Sequence, residues 1–125
     1  MKEIIATKSA PAAIGPYSQG ISAGNLVITS GQLPVDPATG SFAPGGVAEQ
    51  THQSPANVQA VLAQAGLTME NVIKTTVFLS DMNNFSAMNE VYATFFPQNP
   101  PARSAVEVAR LPKNALVEIE AIACR

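Results

Sequence analysis

Asn71-Val72-Ile73-Lys74-Thr75-Thr76-Val77-Phe78-Leu79-Ser80 is β-branched and alternating. Ile73, Thr75, Val77 and Leu79 share one face of such a strand, and Val72, Lys74, Thr76 and Phe78 the other. The period then changes. After Asp81 the positions Phe85, Met88, Tyr92, Phe95 and Phe96 recur at helical spacing, and Pro97, Pro100 and Pro101 end the run, which predicts an amphipathic helix of about three turns. Alternation resumes over residues 103–109 and again over residues 115–124, two strands joined by Leu111-Pro112-Lys113-Asn114.

Upstream, two β-compatible runs at residues 18–22 and 26–30 flank Gly24-Asn25, a pair that tolerates positive φ, and predict a hairpin. Residues 34–46 read as a loop containing a turn at Asp36-Pro37-Ala38-Thr39-Gly40. Residues 47–67 carry a helical pattern through Val58, Val61, Leu62 and Ala65, with Gly66 as its stop. Pro55 complicates the first half, since it deletes the bond to the carbonyl of Thr51. The helix therefore either begins at Ser54, with Pro55 in its first turn, or kinks there. The order β-β-α-β-α-β-β predicts one α+β domain over residues 1–125, with two helices on one face of a mixed sheet. The sheet's other face then needs a cover, and symmetric copies of the chain are the natural one.

Composition points the same way. Only 13% of the 125 residues are charged while 46% are hydrophobic, against about 25% charged in an average soluble domain, so part of the surface is expected to be hidden in a homo-oligomer. Seven Lys and Arg against nine Asp and Glu give a net charge of −2, with no basic cluster, and neither nucleic acid nor an anionic membrane is indicated as a partner. Cys124 and His52 are the only residues of their types, so no intrachain disulfide and no Cys/His zinc set can form. No signal peptide or membrane span is evident, and the expected location is the cytoplasm.

A few residues carry chemistry. Leu116, Glu118, Glu120, Ile122 and Cys124 share one face of the last strand. If that face meets solvent, the two acids are ordinary; if it meets a cleft or another subunit, burial raises their pKa and suits one to proton transfer. Arg103 enters its strand from the stiff Pro100-Pro101-Ala102 approach, as a surface arginine or as a two-pronged clamp for a carboxylate. Asn89 lies among Phe85, Met88 and Tyr92 and needs a partner, either nearby backbone or a ligand. Tyr17 reads as a core ring with its hydroxyl at the edge. Ser30-Gly31 is either a plain turn or a place where a ligand approaches main-chain N–H groups. His52 reads as a solvated helix residue. No nucleophile elbow or phosphate loop is present.

Four segments taken together are more specific: Gly15-Pro16-Tyr17-Ser18-Gln19-Gly20, residues 28–35, residues 101–108 and Val117-Glu118-Ile119-Glu120-Ala121. In this order, over nearly the whole chain, they resemble the RidA (YjgF) family of reactive-intermediate deaminases. The resemblance implies a chorismate-mutase-like fold and a homotrimer with a central barrel-like core and ligand clefts between subunits. It implies a cofactor-free 2-iminobutanoate/2-iminopropanoate deaminase that converts 2-aminoacrylate and related enamine or imine acids to 2-oxo acids and ammonia. A non-catalytic trimeric binder or sensor of small 2-oxo or amino acids is the alternative. Carried over by motif, Arg103 is the carboxylate clamp and Glu120 the water-positioning acid, while Tyr17, Ser30, Gly31, Asn89 and Ala105 line the substrate site and Glu118 takes a structural pairing role. Many relatives have Cys where this chain has Ala105, which excludes a thiol mechanism but not attack by activated water.

Overall fold

A computed structural model describes residues 1–125. Along the chain run β1 (Lys2–Ile5), β2 (Gly20–Ala23), β3 (Leu26–Thr29), β4 (Val35–Asp36), β5 (Ser41–Phe42), helix α1 (Val47–Gln64), β6 (Val72–Leu79), helix α2 (Phe85–Phe95), β7 (Ala102–Glu107) and β8 (Val117–Cys124). Six strands form one sheet in the order β1-β2-β3-β8-β6-β7, and β4 and β5 pair separately. Every neighbouring pair is antiparallel except β6 and β7, the geometry expected when two strands are joined through a helix, here α2. The expected α+β class with a mixed sheet is therefore present.

The differences from the sequence pattern have local causes. β1 is an additional strand. It lies at the sheet edge with Lys2, Glu3 and Ile4 all exposed, and so shows no apolar alternation. The expected loop at 34–46 contains the β4–β5 pair around the predicted turn, where Thr39 and Gly40 N–H groups donate to Asp36 O and Gly40 takes φ 74°. An irregularity between Val72 and Lys74 turns Val72 inward and leaves Ile73 outside, so the alternation expected of β6 holds only from Thr75 onward, with Thr75, Val77 and Leu79 buried.

The helix does not begin at Ser54: α1 starts at Val47 and continues through Pro55. Gly46 N donates to Glu49 Oε1 at 2.8 Å, which ties down the first turn. Ser54 does not cap; its hydroxyl donates to Gln32 O at 2.7 Å, and Asn57 Nδ2 donates to the carbonyls of Leu33 and Val35 at 3.0 and 2.9 Å. These tertiary bonds offset the one helical bond that Pro55 removes.

Both helices lie over one face. Val58, Val61 and Leu62 of α1 and Met88 and Tyr92 of α2 close on Val77, Leu79, Val117 and Ile119 in one core cluster of 18 residues. Truncating a fully buried member such as Leu62 to Ala costs about 2–5 kcal/mol. The other face is bare: Ile4, Ile21, Ile28 and Ile122 stand in register across β1, β2, β3 and β8, with Ile4 68% and Ile28 43% exposed. No helix is long and apolar enough to cross a membrane.

Candidate active site

The predicted residues fall into two groups. Arg103 lies on the edge strand β7, level with Thr75 and on the helix side of the sheet. Phe85, Asn89 and Tyr92, spaced to share one stripe of α2, meet it there. Arg103 Nη1 donates to Asn89 Oδ1 at 2.7 Å, and the guanidinium carbon sits 4.8 Å from the Tyr92 ring centre and 5.5 Å from that of Phe85. Both rings lie within cation–π range. The Tyr92 hydroxyl is in turn 2.7 Å from Thr75 Oγ1. Burial pushes the Tyr92 phenol up, outweighing the Thr75 hydrogen bond and the nearby Arg103 charge. Arg103 thus has its plane set by two rings and one donor engaged by an amide, while a guanidinium has five donors to offer. Asn89 finds its partner in Arg103 rather than in backbone. Ala105, two residues on, shares the face and packs against the core.

The second group surrounds a cavity of about 960 Å³ walled by Tyr17, Ser30, Gly31 and Glu118, by part of the loop between β1 and β2, and by Lys113. Tyr17 is no core ring; it stands half exposed at the wall. Ser30 Oγ donates to Ser18 O, which commits its hydrogen and leaves its lone pairs to accept. Gly31 lies against Glu118 so closely that a Cβ there would run into the carboxylate. Burial pushes the half-buried Glu118 carboxyl above the usual carboxylate range, and the neighbouring Glu120 charge pushes the same way.

Of the two acids, then, Glu118 lines the cavity and Glu120 does not. Glu120 pairs with Thr76 one step along the same face. Gly31 packs on the Glu118 carboxylate, and the charge of Glu120 lies near it. Arg103 is level with Thr75, and Glu120 with Thr76; consecutive β6 residues point to opposite faces, so one chain holds Arg103 and the two acids on opposite sides of its sheet. Tyr92, Phe85 and Thr75 were not singled out by sequence. The stripe at 85, 89 and 92 was the available signal, but only the parallel register of β6 and β7 brings Arg103 onto it.

The fold is thus a one-sided α+β sheet with a guanidinium on its edge strand and a separate cavity walled by a carboxyl group. Residues 7–125 match the family model described as Endoribonuclease L-PSP, and the chain belongs to this YjgF/RidA family. It is 55% identical to a RutC family protein of Pyrococcus horikoshii, over 98% of each chain. It is 54% identical to the 2-iminobutanoate/2-iminopropanoate deaminase of Escherichia coli, over 100% of this chain and 99% of the relative. Among solved structures it resembles that of Escherichia coli TdcF with bound serine, with a TM-score of 0.95, 51% identity and 98% of each chain covered.

Proposed function

We propose that the chain is a cytoplasmic deaminase hydrolysing small 2-imino acids and their enamine tautomers, 2-aminoacrylate among them, to 2-oxo acids and ammonia. The observation that carries this reading is Arg103, held at an open sheet edge by Asn89 and two rings with donors to spare. Full-length relatives named for imine deamination support the reaction class.

Arg103 grips the substrate carboxylate through paired hydrogen bonds and so fixes the C=N carbon. Glu118, the acid at the cavity wall, takes the role that the family motif suggested for Glu120. As carboxylate it removes a proton from a water whose oxygen attacks the imine carbon, and the C=N electron pair moves to nitrogen. It returns that proton to the nitrogen; the C–N bond then breaks and ammonia leaves, while the remaining hydroxyl gives its proton to the regenerated Glu118 carboxylate and becomes the carbonyl. A neutral imine first gains a proton from solvent at nitrogen, and an enamine gains one at C3, so that both react as the same iminium. Ser30 Oγ accepts from the iminium N–H, and Tyr17 and Gly31 bound the reacting end. Ala105 offers only bulk.

Clamp and acid face opposite ways in one chain, so the reaction calls for a cleft shared by two copies. The bare isoleucine row argues that copies pack sheet to sheet, and we infer a homotrimer with a barrel-like core. A binding-only role is the second reading, favoured by the serine held in the TdcF structure. RNA cleavage, which the family model's description suggests, fits poorly with a net charge of −2.

The test generates 2-aminoacrylate with a dehydratase and follows its decay to pyruvate. Acceleration abolished in Arg103→Ala supports the deaminase; no acceleration, or full activity in that variant, overturns it. Oxo-acid binding by calorimetry without turnover supports the sensor, and a clean monomer by light scattering removes the shared cleft.

A further inference from the structure

The cavity's outer wall is a loop with almost no bonds of its own. Residues 6–19, between β1 and β2, form neither helix nor strand. Yet Thr7, Lys8, Ala10, Pro11, Ala12 and Ile14 are six of the 17 residues that line the cavity. Irregular segments of this length in compact domains usually serve a site. Between elements, the main-chain bonds of this segment are Tyr17 N to Gly15 O and Ser30 N to Gln19 O, both 2.9 Å, and neither reaches residues 7–14.

One side chain does reach them. Gln19 is 4% exposed. Its Oε1 accepts from Thr7 N at 2.7 Å, and its Nε2 donates to Thr7 O, Ala10 O and Pro11 O at 3.0, 3.3 and 2.7 Å. The same residue's main-chain carbonyl holds Ser30 N. Gln19 therefore joins two walls of the cavity, the loop on one side and Ser30-Gly31 on the other. Only an amide supplies an acceptor for Thr7 N and donors for carbonyls at once; a carboxylate would turn its lone pairs on the same carbonyl oxygens.

We infer that Gln19 is a positioning residue, whose carboxamide sets the distance between the 7–14 wall and the Ser30-Gly31-Glu118 wall and thereby which acids the cavity accepts. This rests on the site described under Proposed function, but not on turnover there.

The test compares wild type with Gln19→Glu, which keeps the shape and the Thr7 acceptor but loses every donor. Hydrogen exchange should rise at residues 7–14 and not in α1 or β8. The affinity for 2-oxobutanoate, read by calorimetry, should fall about tenfold. In the imine assay KM should rise by a similar factor with kcat within about twofold of wild type. Lowering the pH to about 5 should recover part of the affinity, because a protonated carboxyl regains one donor. Pro11→Gly, which loosens the loop while keeping the Gln19 side chain and a carbonyl at position 11, should move exchange and affinity in the same direction if Gln19→Glu fails to fold. Unchanged exchange at 7–14, faster exchange with unchanged affinity, a loss in kcat alone, or no 2-oxobutanoate binding by wild type overturns the inference. Wild-type binding without turnover overturns only the deaminase reading.

Discussion

Arg103 and Glu118 are controlled in opposite ways. The guanidinium is fixed by geometry: an amide oxygen at 2.7 Å, rings on its flank, and a tyrosine itself tied to Thr75. The carboxyl is controlled by energy: half buried, beside a like charge, and pressed against a glycine, with its proton held more tightly than usual. A group that binds must point correctly, and rigidity serves that need. A group that exchanges protons works best when its pKa moves toward the operating pH, and desolvation with like charge does this without rigid fixing. The two ends of the proposed site thus divide orientation from proton affinity, and they do so on opposite faces of one sheet.

The largest effects should come from breaking either end, with different signatures. Glu118→Gln should lower kcat by about 10²–10³ while leaving oxo-acid affinity within a few fold, and Glu120→Gln should cost less than about tenfold. If Glu120→Gln proves the more damaging in steady-state assays, the two acids exchange roles. Arg103→Ala should lower kcat/KM about a hundredfold and abolish oxo-acid binding in calorimetry; Arg103→Lys should recover little, since it keeps the charge without the planar fork or its stacking. Mixing the inactive Arg103→Ala and Glu118→Gln chains and reassembling them should restore up to about a quarter of wild-type activity, because random pairing leaves that share of shared clefts intact. No recovery would place both groups in one chain's site. Gly31→Ala should act more weakly. Its new methyl meets only the Glu118 side chain, from Oε2 back to Cγ, and no backbone, so kcat should drop roughly tenfold with an unfolding midpoint little changed.

Sequence periodicity located β6, α2 and β8, because each buries one face against the core and so writes its period plainly. It failed where bonds distant in sequence decide. Pro55 argues locally against a continuous helix, and only the bonds from Ser54 and Asn57 to the 32–35 segment show why one forms. Ile73 reads as sharing a face with Thr75, Val77 and Leu79 until the irregularity beside β8 separates it from them. In the site, Arg103, Asn89, Tyr17, Ser30 and Gly31 all stood out by type and position. Choosing between Glu118 and Glu120 was beyond any period-two argument, since residues two apart share a face by construction; what separates them is the packing of Gly31 against one and not the other.

The smallest effect separates the two ends by stability alone. Glu118 binds its proton more tightly folded than unfolded, so its contribution to stability is fully present below the unfolded-state pKa and is lost as pH rises through the folded-state value. Glu118→Gln cannot ionise and escapes this loss. Its unfolding midpoint relative to wild type should therefore climb as pH is raised from about 4 to 7, by only about 1–3 °C because the carboxyl is half exposed. Glu120→Gln should show part of the same trend, since removing the second charge withdraws the lesser of the two pushes on Glu118. Arg103→Ala should show none of it, because the groups that orient the guanidinium do not titrate in this window. Thermal melts of the three variants across that range check the set: a midpoint difference for Glu118→Gln that shrinks with rising pH would mean that the carboxylate is stabilised rather than strained in its groove, and the division between an oriented end and an energetically poised end would fall.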